Sequence, residues 1–227
     1  MNILAIDTAC QVFSAALISP QGCFYTEVDA PSRHSELLME CIDSLCAHAS
    51  LDASAIDLVA CMKGPGSFTG LRIGYAAAKG LALSLGIPLV VVPTLDCMAH
   101  PFSAIPALVL PLIDAKKSQF YGALYRGGER LIDYTDGAPD YFVNELDRHR
   151  RPGENIILTG PGAHLFLLVQ EKYSPGEGLS VDPFFNRGKA LELSKLAEKN
   201  HEPNGQDANR GPLYLRKSDA ELSQDRT

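Results

Sequence analysis

The chain has 227 residues, 46% of them hydrophobic and 21% charged, the balance of a globular protein with a sizeable core and length enough for one large domain or two small ones. Its formal net charge is −7 and no basic tract is read in it, so tight stand-alone binding to RNA or DNA, which depends on cations neutralising phosphates, is not expected. No apolar run reaches membrane-spanning length, and the opening MNILAIDTAC reads as a first strand rather than a signal peptide. Cys10, Cys23, Cys41, Cys46, Cys61 and Cys97 show neither CxxC nor zinc-type spacing, so a cytoplasmic protein with reduced, mostly buried thiols is expected.

In chain order, NILAID (2–7), VFSAALIS (12–19) and GCFYTEV (22–28) read as three strands, with ISPQG turning between the last two. A helix is predicted from Arg33 to Ala49, because Leu38, Cys41, Ile42, Leu45 and Ala49 recur at helical spacing, with Ser32 as its N-cap. DLVACM (57–62) is a short buried strand. The glycine loop GPGSFTG follows, then a helix over 69–85 that Gly86 stops, then the strand PLVVV (88–92).

The second half repeats this order. ALVLPLIDAKKSQFYGALYRGGERLIDYT (107–135) is again strand, turn, strand, turn, strand. Placing Asp114 over Asp7 sets Ala123 and Leu124 over Ala16 and Leu17, and the Gly127–Gly128 turn over Pro20–Gln21. A short helix (PDYFVNELDRHR), the strand NIILTG, a second GPG at Gly160–Gly162 and another helix follow. Six elements matched in order argue for an internal duplication. Two similar α/β lobes facing each other across a cleft are expected, over 1–100 and 101–200. The predicted last helix (187–200) falls in the second lobe, and 201–227 forms a polar segment and tail in which PLYLR can dock and the residues after about Lys217 are mobile.

The glycine loop invites a phosphate-binding reading, and its residues oppose it. No Lys-Ser or Lys-Thr follows the glycines, the spacing is GxGxxxG rather than GxGxxG, and Pro65 removes a backbone donor. The structural reading is an abrupt strand-to-helix turn capped by Ser67 or Thr69. Gly70, Gly74, Ala77, Ala78 and Leu81 then form a small-residue stripe that lets the helix lie close on the sheet. The opposite face, with Arg72, Ala76, Lys79, Gly80 and Leu83 and Tyr75 on its flank, is poor in charge for a solvated surface.

ILAIDTA, RHSELL, GPGSFTGLRIG, KGLA, IPLVVVPTLD and the terminal PLYLR together resemble the bacterial TsaB (YeaZ) family, over most of residues 2–100 and the tail. The resemblance implies an actin-like (ASKHA, ribonuclease H-like) duplicated α/β fold. Each of its two lobes is a mixed sheet with a three-strand antiparallel meander and flanking helices. It also implies an accessory role in tRNA threonylcarbamoyladenosine synthesis, beside a catalytic TsaD-type paralogue and a TsaE-type ATPase, with tRNA engaged only through the complex.

The residues favour a non-catalytic role. Where the catalytic paralogue carries HxxxH for a metal, this chain has Asp96 and His100, so the first histidine is missing. Ser67 lies in GPGSF, not GxSxG, and His34 reads as a surface or interface histidine. Asp7, Thr8, Asp114 and Lys116 mark the turns that would grip phosphates in an actin-like ATPase and are read as a vestigial nucleotide cleft. No catalytic residue, metal or cofactor is assigned. The partner-binding surface is expected on His34, Leu38, Met39, Ile42 and Cys46 of the first helix and Arg72, Tyr75, Ala76, Lys79 and Leu83 of the second. The same apolar faces make a homodimer of the isolated chain an alternative state. The competing reading is an actin-like ATPase or phosphotransferase using the interlobe cleft.

Overall fold

The computed structural model describes residues 1–30, 33–170, 172–173, 178–201 and 211–216. Ser32, the expected N-cap, and the tail after Arg216, expected to be mobile, lie outside the described residues. The chain divides into two compact units, Met1–Cys97 with Arg187–Leu213, and Met98–Asn186 with Tyr214–Thr227.

The first unit is built on one sheet. Strands β1 (Ile3–Asp7), β2 (Val12–Ser19) and β3 (Gly22–Asp29) form an antiparallel meander; β4 (Leu58–Gly64) and β5 (Leu89–Pro93) add in parallel, giving the order β3-β2-β1-β4-β5. All five residues of β1 are buried, so both faces of the sheet must be covered. Leu4 and Ile6 join Phe13, Ala15 and Leu17 under helices α1 (His34–His48) and α2 (Phe68–Leu85). Ile3 and Ala5 point the other way, with Ala16, Leu58 and Ala60.

That second face is covered by a helix α6 (Ala190–Asn200), through Ala190, Leu193 and Ala197. This corrects the expected division. The last helix belongs to the first unit although it follows the second in sequence, because an apolar sheet face of small residues is left bare without it. The chain crosses from the first unit to the second between Cys97 and Met98, within the helix α3 (Thr94–Ala99).

The second unit repeats the order. Strand β6 (Ala107–Asp114) pairs antiparallel with β7 (Phe120–Gly122), which pairs with β10 (Thr135–Gly137); β11 (Asn155–Thr159) and β12 (Leu179–Val181) add in parallel, giving β10-β7-β6-β11-β12. The duplication expected from sequence is therefore present in topology. The second meander is broken after Gly122, where a short hairpin of β8 (Tyr125–Arg126) and β9 (Glu129–Arg130) branches off β6. Gly127 and Gly128 turn that hairpin with φ of 58° and 81°, which suits the tight turn of a two-residue loop. Helices α4 (Pro139–His149) and α5 (Ala163–Val169) cover the sheet, with Phe120, Phe142, Leu146 and Phe166 in the core.

Of the PLYLR segment, the Leu213 N–H donates to the Lys63 carbonyl at the end of β4 (2.6 Å). In the second unit Arg216 makes two 2.7 Å bonds to Asp136 and donates to the Ala115 carbonyl at 2.9 Å.

Candidate functional site

The two strand-exit turns repeat each other atom for atom at their start. Asp7 ends β1, and its Oδ1 accepts from the Ala9 N–H at 3.0 Å. Asp114 ends β6, and its Oδ1 accepts from the Lys116 N–H at 2.7 Å. Beyond that shared Asx turn the two diverge.

The Asp7 turn is closed. Asp7 is 3% exposed and Thr8 2%. The second Asp7 oxygen accepts from the Lys189 N–H at 2.9 Å, and Lys189, itself buried, places a cation near the carboxylate. The segment before α6 is anchored around it. Arg187 pairs with Glu27, the Gly188 N–H donates to the same carboxylate, and the Ala190 N–H donates to Ser14 Oγ at 3.2 Å. Gly188 is needed there, since a Cβ would sit 2.3 Å from the Ser14 side chain. Burial pushes the Asp7 carboxyl above its ordinary range, against the lowering by the Lys189 and Ala9 N–H groups. Burial, and after it the Asp7 charge, also raise the Cys10 and Cys97 thiols above the ordinary range.

The glycine loop explains the rest of this turn. The Thr8 hydroxyl donates to the Gly70 carbonyl at 2.7 Å, and α2 lies directly on Thr8. A Cβ on Gly70 would be 2.1 Å from the Thr8 carbonyl oxygen, and one on Gly74 2.2 Å from Thr8 Oγ1. A Cβ on Gly66 would be 2.4 Å from the Ala9 carbonyl oxygen, which also accepts from the Ser67 N–H. Ser67 Oγ caps α2 by accepting from the Gly70 N–H. The second GPG does the same work in the second unit: a Gly160 Cβ would lie 2.5 Å from the Leu112 carbonyl oxygen, which accepts from the Gly162 N–H. Both loops are close-approach devices between neighbouring strand exits.

The Asp114 turn is open. Lys116 Nζ pairs with Asp114 Oδ2 at 2.7 Å while remaining 80% exposed along its side chain. Lys116, Lys117 and Ser118 all lie in the left-handed region, at φ of 62°, 55° and 57°, a run that non-glycine residues rarely adopt.

The expected partner-facing residues separate into two sets. Leu38, Ile42, Cys46 and Tyr75 are buried in the unit's own core and are not surface. His34 is also buried, its Nε2 3.0 Å from the Gln11 carbonyl and its ring against Phe13, which corrects its reading as a surface histidine. The apolar arc of α1 is wide because this helix meets both the sheet and α2. Met39, Arg72, Ala76 and Leu83 are exposed and Lys79 is half-buried. Arg72 stacks on Phe68 one turn earlier, 3.8 Å from the ring centroid. Asp96 lies in α3, and His100 begins the 3-10 turn that succeeds it. None of the six cysteines is joined in a disulfide.

The family model described as TsaD, tRNA N6-adenosine threonylcarbamoyltransferase, matches residues 17–159. The tRNA threonylcarbamoyladenosine biosynthesis protein TsaB of Haemophilus influenzae is 30% identical over 87% of this chain and 85% of its own length. The Escherichia coli protein of the same name is 35% identical over 71% of this chain and 72% of its own. This chain belongs to the TsaB family. The Bacillus subtilis TsaB protein is 33% identical, and the matched part spans 64% of its length. Among solved structures, YeaZ from Pseudomonas aeruginosa superposes with a TM-score of 0.75 over 94% of this chain and 99% of its own, at 23% identity. A polyphosphate/ATP-glucomannokinase from Arthrobacter superposes at 0.54 over 88% of this chain and 99% of its own, at 13% identity. Both likenesses concern the fold, and they agree with the actin-like architecture expected for a TsaB family member.

Sequence reasoning missed the Arg187–Ala190 segment that closes the Asp7 turn. Its only local sign is a glycine before a lysine at a helix start. It also passed over RHRR at 148–151, a short basic run at the end of α4.

Proposed function

We propose that this chain is a non-catalytic subunit of the assembly that transfers a threonylcarbamoyl group to the adenosine beside the tRNA anticodon. It binds and activates a TsaD-type catalytic subunit, alongside a TsaE-type ATPase. The curated relatives are named for tRNA threonylcarbamoyladenosine biosynthesis, which supports a part in that modification. The observation that carries the non-catalytic role is the closed Asp7 turn. An actin-like ATPase uses this turn to meet phosphates, whereas here both carboxylate oxygens and the Thr8 hydroxyl are spent on the chain's own backbone. The same commitment counts against the ATPase or phosphotransferase reading.

The binding surface in this reading is the outer face of α2, Arg72, Ala76, Lys79 and Leu83, together with Met39 of α1. A neighbouring pair of helices can pack there as a bundle. The buried members of the expected set hold the two helices in place instead. The test is co-purification with a TsaD-type protein, joined to calorimetric titration of the isolated chain with ATP and magnesium. A stable complex and no heat of nucleotide binding are expected. ATP turnover by the isolated chain that disappears in Asp114→Ala would overturn the proposal.

A further inference from the structure

The end of α4 carries a second surface that the partner-binding reading does not use. Asp147, Arg150, Arg151, Pro152, Gly153, Lys172 and Tyr173 line a cleft of 560 Å³ in the second unit. Among the described residues, Arg126, Arg148, Arg150, Arg151 and Lys172 bring five cations to this region against the three carboxylates Glu145, Asp147 and Glu154, in a chain whose net charge is −7.

These three carboxylates are all committed. Glu154 takes a bidentate pair from Arg126 at 2.6 and 2.8 Å and the Arg151 N–H at 2.9 Å. Its carboxyl is held below the usual range, first by the Arg126 bonds. Glu145 is buried beneath Arg148, and Asp147 accepts from Lys172 and from the Tyr173 hydroxyl. Cations in the last turn of a helix ordinarily answer its dipole, which accounts for Arg148 and His149. It does not account for Arg151 or Lys172, which lie beyond the helix.

The walls are fixed. The Arg126–Glu154 pair pins the turn at Arg151–Glu154, closed by the Glu154 N–H on the Arg151 carbonyl (3.0 Å). Gln170 clasps the Tyr173 backbone from both sides, donating to its carbonyl and accepting from its N–H. Arg150 donates to the Glu154 carbonyl at 2.8 Å, with its guanidinium 5.9 Å from the Tyr173 ring centroid. Arg151 is exposed, and its guanidinium makes no hydrogen bond among the described residues. Held cations beside an aromatic ring, with these three described carboxylates already neutralised, match the chemistry of a phosphodiester backbone.

We propose that this cleft is an RNA contact, taking backbone phosphates of the tRNA on Arg151 and Lys172 with Arg150 behind them. The identity of the RNA rests on the functional reading above; the contact itself does not need the partner. The overall charge keeps it weak in the isolated chain and useful once other subunits hold the tRNA.

The test uses the full chain and an anticodon stem-loop RNA at about 20 mM salt, where phosphate contacts are strongest. Backbone amide shifts should be confined to 147–154 and 172–173. In the Arg151→Glu, Lys172→Gln double variant the affinity should drop about tenfold, and the slope of log K against log salt should flatten by about 1 to 2. Arg151→Gln alone is the fallback if the double variant is misfolded by circular dichroism. Shifts elsewhere on the chain, or an affinity unchanged by the variants, would overturn the proposal. So would inorganic phosphate saturating the same amides at the same concentration, which would mark a simple anion site. Failure of co-purification with a TsaD-type protein leaves this measurement intact, so the two readings can fail separately.

Discussion

The close approach of α2 to Thr8 makes a quantitative prediction for Gly74→Ala. The new Cβ would sit 2.2 Å from Thr8 Oγ1, while the Thr8 Cβ and Cγ2 lie 3.4 Å away, an ordinary contact. Relief requires α2 to shift by roughly 1 Å or Thr8 to leave its rotamer, an overpacking cost of about 2–3 kcal/mol, offset by about 1 kcal/mol of better helix propensity. The single variant should therefore lose about 1–2 kcal/mol. Thr8→Ala loses one buried hydrogen bond and a packed methyl, about 2 kcal/mol together. In the double variant the clashing oxygen is gone, so only the Thr8→Ala cost remains, less the propensity gain, about 1 kcal/mol. A coupling of about 2–3 kcal/mol should appear in a urea-unfolding double-mutant cycle. Gly70→Ala is the contrast: it meets the Thr8 backbone oxygen at 2.1 Å, which Thr8→Ala leaves in place, so no rescue is expected. Gly80, with nothing within 4 Å, should accept alanine with a small gain in stability. Additivity of Gly74→Ala and Thr8→Ala within about 0.5 kcal/mol would refute the argument that the glycine stripe exists to admit Thr8.

Asp7→Asn tests the closed turn. Burial raises the Asp7 carboxyl above its ordinary 3.8, so the native chain holds that proton more tightly than the unfolded one. The associated stability is complete below 3.8 and is lost as pH rises through the folded value. Urea midpoints across this range should show the wild type losing ground to Asp7→Asn as pH rises and then levelling; a gap that widens in favour of the wild type would contradict it. Ala76→Glu puts a carboxylate between Arg72 and Lys79 on an exposed helix face, so the free chain should fold normally by circular dichroism. Its affinity for a TsaD-type partner should fall by about 3 kcal/mol, because the carboxylate must be desolvated in the proposed contact; unchanged affinity places the interface elsewhere.

Much of this protein was determined by its sequence alone. Alternation in NILAID and VFSAALIS, and helical spacing after Arg33 and Ser67, act over a few residues, so β1, β2, α1 and α2 could be read directly. The repeated order of elements revealed the duplication, and the missing Lys-Ser argued against a phosphate loop at GPGSFTG, whose packing role the close contacts with Thr8 and Ala9 then showed. Tertiary structure decided what depends on partners distant in sequence. Periodicity says that a helix face is apolar but not what covers it; the sheet and α2 together bury Leu38, Ile42 and Cys46, leaving the surplus surface to Met39 and the outside of α2. It also could not show that α6 returns to the first unit, since only a sheet buried on both faces demands a second cover. The state of Asp7 was likewise hidden, because the N–H that closes its turn comes from Lys189, 182 positions further along the chain.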